Sequence, residues 1–263
     1  MSIILFAPFS SSSAEAGLMY LVGNYLRYLR QDVFQLRCNG IFPVCERDSE
    51  HEWKRNIRSC PACIAEQRML ARWGSLESKD LSSFLQPDEI QDTWRTILNV
   101  PKEELMEFRY RGVPLFELAR GSFRDYFGVD HPVLKSEEQI KDLRQLLLST
   151  WRMAIAVRRL NNRMTPRTAL VTGGQDYMSR TYVAHSVGQG IDVVVFQWSA
   201  SDRAVNLINL RDNRCYSCEF IIEDLRMMRN NPESWSDEPL EQIHSILDFI
   251  GIPAKLNLIK AAQ

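Results

Sequence analysis

The chain lacks the short motifs that announce the commonest nucleotide and hydrolase chemistries. It has no Gly-x4-Gly-Lys-Ser/Thr phosphate loop, no Gly-x-Gly-x-x-Gly turn and no Gly-x-Ser-x-Gly nucleophile elbow. Histidine is scarce, with four in 263 residues. His51-Glu52 has no second histidine at helical spacing, which excludes a zinc protease of the His-Glu-x-x-His kind. His131 and His244 have no visible catalytic partner, and His185, which shares a helix with Arg180 and Tyr182, reads first as an ordinary helix histidine. Neither sign of charge is in excess: 32 Lys and Arg face 33 Asp and Glu, for a net charge of −1. Without surplus cations to displace counterions from phosphates, general nucleic-acid binding is excluded.

No apolar run is long enough to span a bilayer. The opening Met-Ser-Ile-Ile-Leu-Phe-Ala-Pro-Phe has no lysine or arginine ahead of its apolar residues, and Pro8 interrupts them, so no secretory signal is expected. The expected location is the cytoplasm, with contact to the inner face of the membrane as the one membrane association considered. Cysteines there are reduced, which ranks metal binding above disulfides.

The six cysteines that are present fall into two groups. Cys38-x6-Cys45-x14-Cys60-x2-Cys63 places four in the first quarter of the chain, and Cys215-x2-Cys218 lies far downstream. Cys60-Pro61-Ala62-Cys63 reads as a tight knuckle that aims two sulfurs at one point. With Cys38 and Cys45 it completes a tetrahedral set for a structural Zn²⁺. A set pairing Cys60 and Cys63 with Cys215 and Cys218 is the second arrangement, and four buried thiols without metal the third.

Hydrophobic patterning gives an α/β chain. Ile3–Phe9 is a continuous apolar run of the kind buried in a parallel sheet. The serine loop follows, and from Ala14 to Arg30 apolar residues recur at helical spacing (Leu18, Leu21, Val22, Tyr25, Leu26 and Leu29). Asp32–Leu36 is then a strand, making a βαβ start. The same grammar returns in strand Thr168–Thr172, turn Gly173-Gly174-Gln175, helix Asp176–Gln189 and strand Ile191–Gln197. Glu137–Leu160 is a long amphipathic helix with Leu143, Leu147, Trp151 and Ile155 on one stripe, Val205–Leu210 a strand, and Leu240–Ile250 a helix.

The expected organisation is one α/β domain over 1–263, a Rossmann-like parallel sheet flanked by helices. Its Rossmann-like parts are 1–37 and 165–230, with a Cys-rich zinc-binding insertion at 38–75, a helical region at 76–164 and a C-terminal helix at 236–251. In such sheets ligands sit beyond the carboxyl ends of the strands. That directs attention to Ser10, Ser11, Ser12 and Gly17 after the first strand, and to Gly173, Gly174 and Gln175 after the later one, as substrate-binding positions. Glu15 is the acid best placed in the first loop to act as a general base. Arg158, Arg159, Arg163 and Arg167 crowd the end of the long helix, either as a cap or facing a phosphate. Trp53, Trp73 and Trp94 are candidates for a partner surface.

The opening strand and small-residue loop Ile3–Gly17, the segment Cys38-Asn-Gly-Ile-Phe-Pro-Val-Cys45 with Cys60-Pro-Ala-Cys63, and Val171-Thr-Gly-Gly-Gln175 followed by the strand ending Phe196-Gln197-Trp198 occur in a telling order. Together they resemble the N-terminal, acceptor-side domain of two-Rossmann (GT-B) glycosyltransferases of bacterial surface-polysaccharide synthesis. In those enzymes the turn often reads Asn-Gly-Arg and the later strand ends in a histidine-glutamate pair, which this chain replaces. The resemblance implies transfer of a sugar from a nucleotide-sugar to a glycan acceptor, with a second domain or subunit as the partner that binds the donor. The alternative expectation is a non-catalytic, zinc-stabilised scaffold or regulatory subunit. A weaker likeness runs through Ile222-Glu-Asp-Leu225, Pro239–Ile243 and Leu247–Pro253, with Arg211-Asp212 and Ser217, and resembles the C-terminal motif of PAPS-dependent sulfotransferases.

Overall fold

The structure, a computed structural model, describes residues 2–8, 14–45, 59–73, 75–129, 136–199, 201, 204–218 and 237–252. It opens with β1 (Ser2–Phe6), α1 (Ala14–Tyr28) and β2 (Asp32–Arg37), followed by α2 (Ser59–Trp73) and β3 (Glu77–Asp80). A helical stretch comes next: α3 (Pro87–Asn99), the two-residue strands β4 (Arg109–Tyr110) and β5 (Val113–Pro114), α4 (Leu115–Phe127) and α5 (Glu137–Met164). The chain then returns to the sheet with β6 (Thr168–Thr172), α6 (Tyr177–Gly188), β7 (Asp192–Ser199), β8 (Ala204–Asn209) and β9 (Arg214–Cys218), and α7 (Asp237–Phe249) follows.

Seven strands form one sheet in the order β3-β2-β1-β6-β7-β8-β9. The five from β3 to β7 run parallel, and β8 and β9 are added antiparallel. Strand residues alternate between two apolar cores, as the pleat requires. Ile4 and Phe6 of β1 and Val193 and Val195 of β7 meet α3, α4, α5 and α6, whereas Ile3, Leu5, Val194 and Phe196 meet α1, α2 and α7. Helices on both faces explain why these strands read as unbroken apolar runs. The long helix buries Leu143, Leu146, Leu147 and Val157, while Trp151 and Ile155 on the expected stripe are only partly covered.

Several boundaries differ from the sequence expectation. β1 stops at Phe6, because a proline at position 8 cannot donate to a ladder. The parallel sheet gains β3 from a stretch expected to belong to the helical region; Glu77-Ser78-Lys79-Asp80 carries no apolar signal. Cys60-Pro61-Ala62-Cys63 is not a free knuckle but the first turn of α2, where proline is accommodated since its missing N–H has no helical partner. The expectations for residues 9–13, His51, Trp53, His131 and 219–236 lie outside the described residues.

An ion pair ties the helical layer together. Arg159 of α5 meets Glu89 of α3 in two bonds of 2.8 and 2.6 Å and also donates to the Phe84 carbonyl at 2.7 Å. Glu89 accepts from the Gln86 N–H as well, closing a capping box. The Arg159 hydrogen bonds hold the Glu89 carboxyl below its ordinary value of 4.5. The stability this supplies is therefore complete above that value and lost as pH falls through the lower folded-state value. In Glu89→Gln, acid unfolding is expected to start from a stability lower by about 1–2 kcal/mol and to show a shallower slope on the acid side. Urea unfolding from pH 3 to pH 7 checks this; parallel pH profiles for both proteins contradict it.

Candidate functional site

The strand order reverses at β1. From β1 the chain moves outward to β2 and β3, then returns through the helical layer to β6 on the other side. β1 and β6 pair in parallel up to Phe6 and Val171, so the segments leaving their carboxyl ends start side by side. This is the switch point at which open α/β sheets form a crevice. Two helices begin beyond it, α1 after β1 and α6 after β6, and their first N–H groups add partial positive charge.

Gly173 and Gly174 stand on the β6 side with φ of 81° and 96°, backbone that side-chain-bearing residues rarely adopt. The Gly173 N–H donates to the Phe196 carbonyl of β7 at 3.0 Å, fixing the turn to the sheet. A methyl group on Gly174 would stand 3.3 Å from Val195 Cγ1. Gln175 is exposed, and its carbonyl lies against Gly121 of α4. Asp176 caps α6, its Oδ1 accepting from the Ser179 N–H at 2.8 Å. Burial pushes its carboxyl above the ordinary range, with the Ser179 bonds opposing. The sequence marks Asp176 only as a helix start, although aspartate ahead of a helix after two glycines is the signal that finds it.

On the β1 side, Gly17 and Glu15 are half-buried in the first turns of α1. Nothing lies within 4 Å of a methyl group added at Gly17, so packing does not require glycine there. Ser10, Ser11 and Ser12 lie outside the described residues. Ala7 and Pro8, which leave β1, are held from below by Gln67 of α2, whose Nε2 donates to their carbonyls at 3.4 and 3.2 Å.

The cysteine segment forms a neighbouring wall. Cys38 follows β2 directly and accepts from the Gly40 N–H at 3.3 Å, with Asn39 and Gly40 both at positive φ. Cys60 and Cys63 are buried at the start of α2, and Cys38 and Cys45 are half-buried. Burial pushes the Cys38 thiol up to about 12, the Gly40 N–H bond opposing and charge on Cys63, Cys45 and Cys60 adding to the rise. Among the described residues, however, no three His, Cys, Asp or Glu side chains stand grouped to hold a metal ion. Cys215 and Cys218 sit on β9, five strand positions from β2, a separation of roughly 24 Å at 4.8 Å per strand. The set that joins them to Cys60 and Cys63 is thereby ruled out.

This wall is bonded to the glycine turn. Tyr177, first in α6 and fully buried, donates its N–H to the Ser122 hydroxyl at 2.7 Å and its own hydroxyl to the Val44 carbonyl at 2.9 Å. Phe42 meets the Tyr177 ring edge-on at 6.4 Å. Val44 in turn donates its N–H to Ser149 of α5 at 3.2 Å.

Other sequence candidates scatter. Arg159 is committed to Glu89, Arg163 lies over the Phe84 ring at 5.9 Å, and Arg158 stands near His185, so these arginines share no phosphate site. Burial, followed by the Arg158 charge, lowers the His185 pKa, and its Nε2 is buried without a hydrogen-bond partner. Arg211 and Arg214 pair with Asp192 and Asp212. Trp94 is 42% exposed on α3. Cavities of 480 and 420 Å³ adjoin at Arg167, Asp192 and Arg211, at the amino end of β7, and one of 710 Å³ is lined by Thr96, Asn99, Pro101, Glu104 and Phe108. None of the three touches the glycine turn. Among the described residues, no helix is long and apolar enough to cross a membrane.

No protein-family model matches the chain. No curated protein matches it either. Among solved structures, a CDPS from Fluoribacter dumoffii is similar at 8% sequence identity, covering 74% of this chain and 88% of that chain, with a TM-score of 0.41.

Proposed function

We propose that the chain is the acceptor-side half of a GT-B-type glycosyltransferase, acting in surface-polysaccharide synthesis with a second domain or subunit that binds the nucleotide-sugar. The observation that carries this reading is the switch point between β1 and β6, with the left-handed Gly173-Gly174 turn on one side. Absence of side chains lets a ligand approach the backbone there, and the start of α6 favours electronegative oxygen. A hydroxyl-rich acceptor is held in this reading by N–H and C=O groups at the strand ends. Its attacking hydroxyl is deprotonated by a carboxylate, for which Glu15 and Asp176 are the acids at the two helix starts. Four thiolates leave no open coordination position, so any Zn²⁺ they hold shapes the crevice wall and supplies no catalytic water.

One observation favours the non-catalytic alternative, a scaffold or regulatory subunit: Asp176 is already engaged as the α6 cap. Thermal unfolding of the full chain separates the two, with nucleotide-sugars and oligosaccharides tested alone and with the proteins encoded beside it. A ligand about tenfold above its Kd stabilises by about 1.4 kcal/mol, roughly 3–6 °C for a protein of this size. A shift with a saccharide or nucleotide-sugar is expected. No shift with any of them, alone or with partners, removes the transferase reading.

A further inference from the structure

The end of the sheet opposite the glycine turn carries a second concave region. Arg167 and Gly173 bracket β6, which sets the two ends about 20 Å apart at about 3.3 Å per residue. The adjoining cavities of 480 and 420 Å³ there have the size of small-ligand sites, and Arg167, Asp192 and Arg211 form their common wall. Sheet and turn bonds set these residues: the Asp192 N–H donates to the Arg167 carbonyl at 3.0 Å, and the Arg211 N–H to Asn209 Oδ1 at 3.0 Å. Asp192 engages the Arg211 side chain only through Nη1, at 2.8 and 3.1 Å. Among the described residues nothing bonds Nε and Nη2 of Arg211, so the fork that holds two oxygens of one anion is presented to the cavities. Arg214 adds a third guanidinium in the second cavity, set by Asp212 and lying over the Phe249 ring at 5.2 Å. The first cavity has the opposite character. α5 and α6 both end beside it and bring partial negative charge. Its wall holds a run of amides, in which Asn161 Nδ2 donates to Gln189 Oε1 at 2.9 Å and Gln189 Nε2 to Asn162 Oδ1 at 2.7 Å. Asn161 is 3% exposed and its Oδ1 has no hydrogen-bond partner, which costs free energy until a donor reaches it. Beside it Thr165, a β-branched residue, ends α5 at a φ of 42°, strained backbone of the kind that clusters at ligand sites.

We propose that the two cavities form one binding site for a sugar monophosphate, its phosphate on Arg211 between Arg167 and Arg214 and its hydroxyls on the amides of Asn161, Asn162 and Gln189. The phosphate takes the Nε–Nη2 fork of Arg211 while Asp192 keeps Nη1, so the ion pair orients the guanidinium and is not broken. Three free oxygens let a phosphate accept from a second arginine as well, whereas a carboxylate is used up by the fork. Each carboxamide offers a donor and an acceptor, which a hydroxyl, itself both, satisfies. An aliphatic ligand leaves those amides unpaired. Helix ends over one cavity and guanidinium groups around the other fix which end of the ligand lies where. The site stands at the far end of the sheet from the switch point, so this inference does not rest on sugar transfer there.

The test is calorimetric titration of the full chain with glucose 1-phosphate, glucose 6-phosphate, ribose 5-phosphate, glucuronate, glucose and inorganic phosphate. One sugar phosphate per chain is expected, bound about tenfold more tightly than glucose, glucuronate or inorganic phosphate. Arg211→Gln, at an exposed position, weakens it by about 10–100-fold. Gln189→Ala weakens the sugar phosphate by about threefold to tenfold and leaves inorganic phosphate unchanged. Circular dichroism establishes that both variants are folded. No binding of any of the three sugar phosphates to wild type at about 10 mM, or unchanged binding by folded Arg211→Gln, overturns the site. Glucuronate binding as tightly as the sugar phosphates overturns the choice of phosphate, and inorganic phosphate binding as tightly overturns the role of the amides. A thermal shift with a nucleotide-sugar that persists in Arg211→Gln belongs to the switch point, so the two readings fail separately.

Discussion

Gly121→Ala lowers the melting temperature by up to roughly 4–8 °C, although alanine is ordinarily the better helix former by about 1 kcal/mol. Gly121 lies in the middle of α4, and a Cβ added there stands 2.0 Å from the Gln175 carbonyl oxygen and 3.0 Å from its carbon. The opposing atoms are backbone, so no side-chain rotation relieves the contact. Either α4 moves off the sheet or the turn between Gly174 and the Asp176 cap is displaced. Overpacking of this kind costs about 1–3 kcal/mol, and here it must first cancel the gain in helix propensity. Gly188→Ala is the matched control: it ends α6, nothing lies within 4 Å of the added methyl group, and its φ is not in the left-handed region, so stability stays level or rises slightly. Calorimetry on the two variants makes the comparison. Equal melting temperatures for Gly121→Ala and wild type show that α4 does not press on the turn. Because the displaced atoms belong to the crevice, Gly121→Ala also weakens binding of any ligand seated on Gly173-Gly174.

Gln35→Leu is the second large effect, a loss of about 3 kcal/mol. Gln35 is completely buried on β2, and its Nε2 donates to the Tyr20 hydroxyl of α1 at 2.7 Å and to the Gln67 carbonyl of α2 at 3.0 Å. Its Oε1 accepts from Ser78 of β3 at 3.1 Å, so one amide joins four elements. Burial holds the Tyr20 phenol firmly protonated. Leucine fills the space but leaves the Tyr20 and Ser78 hydroxyls short of partners, at about 1–3 kcal/mol for each buried group. Ser78→Ala removes a single bond and costs about 1 kcal/mol. Urea denaturation of both variants tests the ordering. Gln35→Leu within about 0.5 kcal/mol of wild type means the network contributes no net stability.

How much of this is legible in the residues follows from the kind of signal each part emits. β1, β6, β7 and α5 are strong apolar patterns buried on both faces or along a stripe, and reasoning from periodicity finds them. The two glycines after Thr172 point to a turn that only glycine makes without strain, and the sheet places that turn at its switch point. β3 is illegible because its pairing is carried by backbone, and Glu77, Ser78, Lys79 and Asp80 gain nothing from burial. The first turn of α2 misleads for a related reason: a Pro between cysteines suggests a knuckle, and only the helix behind it makes the proline an N-terminal residue. Gln67 and Gln35 emit no pattern at all. Their importance comes from partners distant in the chain, Ala7 and Pro8 for the one and Gln67 and Ser78 for the other, which no local window contains.

The charged residues that hide β3 also decide how this molecule meets others. An outer strand of four residues carrying Glu77, Lys79 and Asp80, with Asp80 held by Arg37 at 2.7 Å, is a poor template for another strand. Copies of the protein therefore gain little by stacking edge to edge on that side. On the β3 side, then, the sheet is closed to lengthening by a strand from another chain.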